Sequence, residues 1–206
     1  GLFCVSTSYR NEPNPIEGRH ERLFPMFEFE GKGDINDLAQ TSTELLEYLG
    51  FTKDDLEFPS GDYVEIAKEM NTDEIENEHE IKLCEEHGSI YFLKNFPVHT
   101  SPFWNMKMDM ETGIANKIDV LVHGMETIGS AERSTDKVDM LKQFDTISNG
   151  EYAQKLFNHF GEERVREELH KYLEYFDNND WDKRRYGAGI GVTRMMRGME
   201  LSGLLD

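Results

Sequence analysis

The sequence predicts an α+β fold in which an antiparallel sheet is flanked by helices. Segments with the two-residue alternation of strands occur near both ends and in the middle of the 206 residues, and segments with helical periodicity lie between them. The order of strands and helices lacks the βαβ rhythm of a parallel sheet. The length suits one domain of ordinary size, so we expect residues 1–206 to form a single domain.

The first predicted elements form a long antiparallel hairpin. Residues 2–12 and 24–30 alternate like strands, and the turn-forming residues 13–18 cannot continue a ladder. One face of the first strand carries Ser8, Arg10 and Glu12. One face of the second strand carries Met26, Glu28 and Glu30.

A helix is predicted next, between Asp34 and Gly50. Apolar residues recur there at the spacing of one buried stripe, and Asp34 is a suitable N-cap and Gly50 a suitable stop. Residues 52–86 are strongly acidic and carry a weaker helical pattern. They predict an inserted or peripheral helical unit.

The second half of the chain supplies the remaining elements. Strands are predicted at 90–96, 103–108 and 117–123, and helices at 151–160 and 163–176. Residues 186–204 run from a glycine-rich strand into a helix.

Charge and composition exclude several classes of protein. The chain has 41 acidic and 22 basic residues, a formal charge of −19, which argues against a broad basic surface for nucleic acid. Cys4 and Cys84 stand in no metal-ligand spacing, so a cysteine zinc site is not expected. Neither a signal-peptide pattern nor a long apolar run is present. We therefore expect a cytoplasmic protein without membrane contact. The sequence opens on Gly rather than Met and enters a strand-like segment at once, so we also expect an N-terminal part ahead of Gly1.

Gly187, Gly189 and Gly191 alternate just ahead of Arg194. Such glycines let a flat ligand lie against the backbone, and an arginine in the first turn of a helix suits a phosphate. Glycines at strand ends also serve packing alone, so both interpretations stay open. The spacing fits neither a Walker A loop nor a Rossmann fingerprint.

The predicted hairpin carries a second group of polar residues, which are Arg10, Glu12, Arg19, His20, Glu28 and Glu30. Burying charge is costly unless something pairs with it, and a triphosphate would supply the partner. The alternative is an internal salt bridge between Arg10 and Glu30.

Together these residues resemble the class II aminoacyl-tRNA synthetases. Motif 2 of that family has an Arg, one residue, a Glu, a variable loop, Arg-His and a Phe, and residues 10–24 are similar to it. The alternating glycines that end in Arg194 are similar to motif 3. Residues 119–133 resemble the segment with which the aspartyl and asparaginyl subgroup binds metal and amino acid. This subgroup includes asparagine synthetase-like paralogues.

The resemblance implies a role for each matched residue. Arg10 and Arg194 would be catalytic, with Arg10 on the α-phosphate of ATP and Arg194 on the γ-phosphate. Phe24 and Arg194 would sandwich the adenine. The remaining ATP-binding residues would be Glu12, Arg19, His20, Gly189 and Gly191, of which Glu12 would contact the adenine side or the incoming acceptor. Asp119 and Glu126 would ligate Mg²⁺. Gly129, Ser130 and Arg133 would bind the amino acid, with Arg133 on its side chain.

The implied function is that of an AMP-forming ligase that activates aspartate or asparagine as its adenylate and transfers it to tRNA. One alternative delivers the adenylate to ammonia, as in asparagine synthetases of this subgroup, and the acidic charge favours it. A second alternative is a non-catalytic regulator, whose signature would be the loss of Arg10 or Arg194. With an N-terminal part that carries motif 1, the protein would form a homodimer.

Two positions depart from the pattern of the subgroup. Leu23 stands where Glu usually precedes the Phe, and Glu132 replaces the usual Gln before Arg133. Glu132 would place a negative charge beside the pocket, or pair with Arg133 and hold it away. Strand alternation favours a third arrangement, in which the two side chains point in opposite directions.

Overall fold

The predicted hairpin forms one edge of a single sheet. The computed structural model describes residues 1–9, 22–52, 57–177 and 184–205. Within these residues eight strands form the sheet, namely β1 Leu2–Tyr9, β2 Leu23–Lys32, β3 Ser60–Asp62, β4 Ile90–Pro97, β5 Met108–Asp109, β6 Ile114–Val122, β7 Met125–Glu132 and β8 Arg185–Gly191.

The strand order is β1-β2-β8-β7-β6-β4-β3, with β5 paired to β6. Neighbouring strands are antiparallel, except that β3 and β4 are parallel. The predicted α+β class is thereby confirmed, and the short β3 makes the sheet mixed. Strand β2 also lies beside the glycine-rich β8 as predicted, with Glu28 opposite Gly189.

The helices are α1 Ile35–Tyr48, α2 Tyr63–Glu69, α3 Asn77–His87, α4 Lys137–Thr146, α5 Glu151–Phe160, α6 Glu162–Glu174 and α7 Val192–Leu201. The predicted cap of α1 is confirmed, because Asp34 Oδ1 accepts from the backbone N–H of Asn36 at 2.8 Å. Gly50 follows the helix with a φ of 98°, which favours glycine. Among the helices of the described residues, none combines the length and apolarity needed to cross a membrane.

The two faces of the sheet have different surroundings. On one face, buried Leu38 and Leu46 of α1 and Met195 of α7 pack against apolar side chains of the central strands, such as Val120 and Ile128. On the other face, α2 and α3 pack against β4 and β6. The centre of that second face carries the glycines of β8 and the acidic residues of β2, and the candidate site lies there.

Residues 52–86 contain α2 and all but the last residue of α3, in agreement with the predicted helices, and also β3, which the sequence did not predict. Tyr63 and Ile66 of α2 and Leu83 of α3 are buried against Leu93 of β4. These helices therefore cover the second face of the sheet at its β4 end.

Residues 103–108 do not form the predicted strand. Met108 alone enters a strand, and Met106 makes an isolated bridge to Arg133. Trp104 packs edge-on against Phe144 and Tyr172, with ring centroids 5.8 and 5.5 Å apart. Trp104 thus packs in the aromatic cluster of α4–α6 instead of in a strand, because tertiary packing overrides the β-propensity of this segment.

Candidate active site

The alternating glycines of β8 form the floor of the site. A Cβ atom at Gly189 would lie 2.9 Å from Cε of Met26, and one at Gly187 would collide with the Glu30 carboxylate and the Arg133 guanidinium. A Cβ at Gly191 would only touch Arg194, at 3.6 Å. The first two glycines therefore make room for side chains of neighbouring strands.

A cavity of about 290 Å³ opens over one end of this floor. Six predicted site residues line it, namely Phe24, Glu126, Gly129, Gly189, Gly191 and Arg194. Four further residues were not predicted as site residues, namely Ser8, Met26, Thr127 and Thr193. The alternation of the hairpin strands already placed Ser8 and Met26 on its polar faces and could have identified them.

Arg194 connects α7 to the strand that carries Glu126. Its Nη1 donates a hydrogen bond to the backbone carbonyl oxygen of Glu126 at 2.6 Å. The guanidinium is half-buried at the cavity wall, where a delocalised cation can stack on a base and contact a phosphate.

A β-bulge brings Glu126 to the face of the site. Val120 pairs with Ile128 whereas Leu121 pairs with Glu126, so Thr127 is an extra residue in β7. Without the bulge, Glu126 would share the opposite face with Ile128. With it, Glu126 Oε1 and Asp119 Oδ1 lie 2.8 and 3.8 Å from the position of a Cβ above Gly129.

Asp119 is the buried member of this carboxylate pair. Its Oδ2 forms an ion pair with Lys117, and within the described part of the chain its buried Oδ1 has no hydrogen-bond partner. Burial raises the pKa of the Asp119 carboxyl to about 7, while the Lys117 ammonium opposes this rise and the charge of Glu126 adds to it. No set of three acidic, His or Cys side chains able to hold a metal occurs among the residues described.

A second cavity, of about 320 Å³, adjoins the first at Gly189. Glu28, Glu30 and Arg133 line it. Glu28 accepts a hydrogen bond from the Ser6 hydroxyl at 2.7 Å and remains exposed. This cavity therefore has acidic and basic groups at defined positions next to the larger glycine-floored one.

The charged end of the second cavity is a chain of ion pairs. Arg133 Nε donates to Glu30 Oε1 at 2.9 Å, and Arg185 Nε lies 3.6 Å from Glu30 Oε2. The predicted site residue Arg133 is thus present in the cavity. Arg185 was not predicted, although it stands two residues before Gly187 on the same strand face.

Glu132 does not place its charge beside the pocket, and this sequence expectation was wrong. Its carboxylate is buried on the opposite face, where Lys107 Nζ and Asn116 Nδ2 each donate to it at 2.7 Å. The alternative pairing with Arg133 is also absent from the described contacts, so strand alternation is the arrangement found. Ser130 likewise turns away from the cavity, because its hydroxyl donates to the Ile118 carbonyl oxygen at 2.7 Å in the buried core.

The remaining predicted ATP-binding residues, Arg10, Glu12, Arg19 and His20, lie outside the described residues. The alternative salt bridge between Arg10 and Glu30 therefore lies outside them as well. Leu23, which like Glu132 differs from the pattern of the subgroup, is 62% exposed at the start of β2.

The fold resembles those of solved aminoacyl-tRNA synthetases. The asparaginyl-tRNA synthetase of Pyrococcus horikoshii complexed with asparaginyl-adenylate has a TM-score of 0.72 and 21% identity over 97% of this chain and 49% of that chain. The Entamoeba histolytica asparaginyl-tRNA synthetase in complex with asparaginyl-adenylate has a TM-score of 0.75 and 17% identity, over 98% of this chain and 49% of that chain. The Entamoeba histolytica aspartyl tRNA synthetase has a TM-score of 0.69 and 20% identity, over 96% and 44%.

The chain thus spans about half the length of these structures. A search of the curated proteins finds no match. The model of one protein family, tRNA synthetases class II (D, K and N), matches residues 1–201. The fold, the glycine-floored site and this match agree, and the chain belongs to the class II tRNA synthetases of the D, K and N group, a family of ATP-dependent ligases.

Proposed function

We propose that this chain activates aspartate or asparagine with ATP, forming an aminoacyl-adenylate and pyrophosphate, and that the amino acid then passes to tRNA. The observation that carries the proposal is the junction of two cavities at Gly189. One has a half-buried arginine and an aromatic ring for a nucleotide. The other has paired charges for an amino acid. Two substrates held at such a junction react as if in one molecule.

The nucleotide would occupy the cavity over Gly189 and Gly191. Phe24 and Arg194 both line it and would stack on the two sides of the adenine. Gly191 permits a ring to approach the backbone, whereas the terminal methyl group of Met26 lies over Gly189. Arg10, Arg19 and His20 remain the predicted phosphate ligands.

The amino acid would occupy the second cavity, with its α-ammonium on Glu28 and its side chain towards Arg133. Its α-carboxylate then points to Gly189 and the nucleotide. A carboxylate oxygen attacks the α-phosphorus in line, the new O–P bond forms, and the bond to the pyrophosphate oxygen breaks. Arg194, and Arg10 by prediction, would stabilise the charge that develops on the phosphates.

Mg²⁺ fits the pair Asp119 and Glu126. Both present carboxylate oxygens around one point above Gly129, and Asp119 Oδ1 lacks a hydrogen bond within the described chain. Mg²⁺ is commonly held by one or two carboxylates together with substrate phosphates. The ion would supply charge neutralisation on those phosphates.

The main proposal and its alternative differ in the molecule that receives the activated amino acid, which is tRNA in the first and ammonia in the second. The family match favours tRNA. The charge of −19 supports delivery to ammonia instead, because tRNA binding depends on basic groups. A preformed adenylate incubated with either tRNA or ammonium distinguishes the two. A cytoplasmic location and a homodimer also remain predictions.

Amino-acid-dependent exchange of pyrophosphate into ATP tests the proposal. We expect exchange with aspartate or asparagine and none with other amino acids. Arg133→Leu should raise the required amino-acid concentration strongly while the KM for ATP stays unchanged, because only the side-chain contact is lost. Absence of exchange with every amino acid would leave a non-catalytic regulator as the better account.

A further inference from the structure

Arg185 contacts Glu30, which lines the charged end of the amino-acid cavity. Its Nη2 donates to the Tyr172 hydroxyl at 2.8 Å, and its Cζ lies 4.9 Å from the centroid of the Phe176 ring. Its Nε faces Glu30 Oε2 at 3.6 Å. Tyr172 of α6, Phe176 just after that helix and Glu30 of β2 thus surround the guanidinium.

The two arginines at this end outnumber their acidic partner. Glu30 is the carboxylate shared by Arg133 and Arg185, whose side chains are only 16% and 22% exposed. A guanidinium does not lose its proton in a protein. Water screens such half-enclosed charges weakly. Among the described residues, one positive charge therefore exceeds what Glu30 neutralises.

In the described parts of the surrounding strands, other charged groups do not remove this excess. Lys117 is paired with Asp119, and Lys107 is paired with Glu132 on the opposite face. Glu28 is exposed and, in the proposed function, is engaged by the α-ammonium. Lys32, at the end of β2, is exposed and adds positive charge rather than removing it.

Hydrogen-bond accounting supports the same conclusion. Within the described residues, buried Nη1 of Arg185 has no hydrogen-bond acceptor, and Glu30 Oε2 receives no hydrogen bond. Such unsatisfied buried groups are uncommon and call for a partner. An anion bound beside Arg133 would draw the two guanidinium groups and Glu30 into one balanced network.

We propose that Arg185 is a specificity-determining residue that makes the amino-acid cavity select aspartate over asparagine. The inference rests on the proposed function of that cavity. The aspartate side chain supplies the negative charge that the arginine pair lacks, whereas the asparagine amide leaves it uncompensated.

Calorimetric binding of L-aspartate and L-asparagine, in the presence of a non-hydrolysable ATP analogue, tests this. We expect the wild-type protein to bind aspartate at least about tenfold more tightly than asparagine. Arg185→Gln should weaken aspartate binding about tenfold or more and change asparagine binding little. Arg185→Lys should restore part of the preference. Arg164→Gln, which removes an exposed arginine of α6, is the matched control and should behave as wild type.

Two outcomes overturn the inference. One is a wild-type protein that binds asparagine as tightly as aspartate. The other is an Arg185→Gln variant that, with an unchanged melting temperature, loses both ligands equally, because Arg185 would then only support the pocket. If Arg185→Gln does not fold, the wild-type ratio and Arg185→Lys decide. The proposed function fails separately, through selective aspartate binding without pyrophosphate exchange.

Discussion

The guanidinium of Arg194 is hydrogen-bonded to the backbone carbonyl oxygen of Glu126, with 2.6 Å between Nη1 and the oxygen. This contact ties the first turn of α7 to the bulge of β7. The residue proposed to stack on the nucleotide therefore also holds the backbone of a proposed metal ligand. This hydrogen bond links the proposed nucleotide and metal parts of the site.

Arg194→Lys should separate charge from geometry at this position. A lysine keeps the charge but loses the planar fork that can bond to Glu126 and stack on a base. We expect the KM for ATP in pyrophosphate exchange to rise about tenfold or more, equivalent to roughly 1.5 kcal/mol or more for a charge-assisted hydrogen bond. Arg197→Lys, an exposed arginine on the same helix, is the control and should leave the KM unchanged. If both variants had the same KM for ATP, Arg194 would not belong to the nucleotide site.

Gly187→Ala tests whether the second cavity holds the amino acid and the first holds the nucleotide. The new Cβ would collide with the Glu30 carboxylate and the Arg133 guanidinium, so their ion pair must shift. We expect the KM for the amino acid to rise while the KM for ATP stays close to wild type. Gly191→Ala is the counterpart in the nucleotide cavity, where the added Cβ would stand on the floor beside Arg194, so we expect it to raise the KM for ATP and not the KM for the amino acid. A higher KM for ATP alone in Gly187→Ala would contradict the assignment.

Lys107→Met tests the role of the buried Glu132 in the fold. The substitution leaves the Glu132 carboxylate buried with Asn116 as its remaining described donor. Since Lys107 is itself half-exposed, we expect a loss of about 1 to 2 kcal/mol in the free energy of unfolding, measured by urea denaturation. Lys171→Met, which breaks an exposed pair on α6, should leave that free energy unchanged. Similar values for both variants would mean that the buried pair does not stabilise the sheet.

The two cysteines should differ strongly in alkylation by iodoacetamide. Burial raises the pKa of the Cys84 thiol to about 11 from 9.0, which lowers its thiolate fraction at pH 8 about a hundredfold. Cys4 is exposed on β1. We expect mass spectrometry to find Cys4 labelled first in the native protein, Cys84 labelled more readily as the pH rises towards 11, and both labelled in urea. Rapid native labelling of Cys84 at pH 8 would contradict its burial between α3 and the sheet.

The sequence predicted most of the fold because its elements carry local signals. Asp34 and Gly50 bound α1 as cap and stop, and alternation identified β1, β2 and β8. Helix α4 was not predicted, although Asp136 caps it through the N–H groups of Val138 and Asp139. Its apolar stripe is short, and Phe144 is buried only through contacts with residues that are distant in the sequence.

The face on which Glu126 lies could not be predicted from strand alternation. The bulge at Thr127 reverses the face of Glu126, and a one-residue bulge depends on pairing with β6 rather than on local sequence. The same alternation, continued without a bulge, places Ser130 and Glu132 in the core, away from the ligand positions that the family resemblance implied. Arg185 was not predicted as a site residue because its partners, Glu30 and Tyr172, are distant in the chain.

The most direct test of the account is the binding of a non-hydrolysable sulfamoyl analogue of aspartyl-adenylate, measured by calorimetry. If the two cavities that meet at Gly189 hold nucleotide and amino acid side by side, the joined ligand should bind at least about a thousandfold more tightly than ATP or aspartate alone. ATP and aspartate should each displace it. An affinity equal to that of the adenosine part, with no displacement by aspartate, would contradict the account.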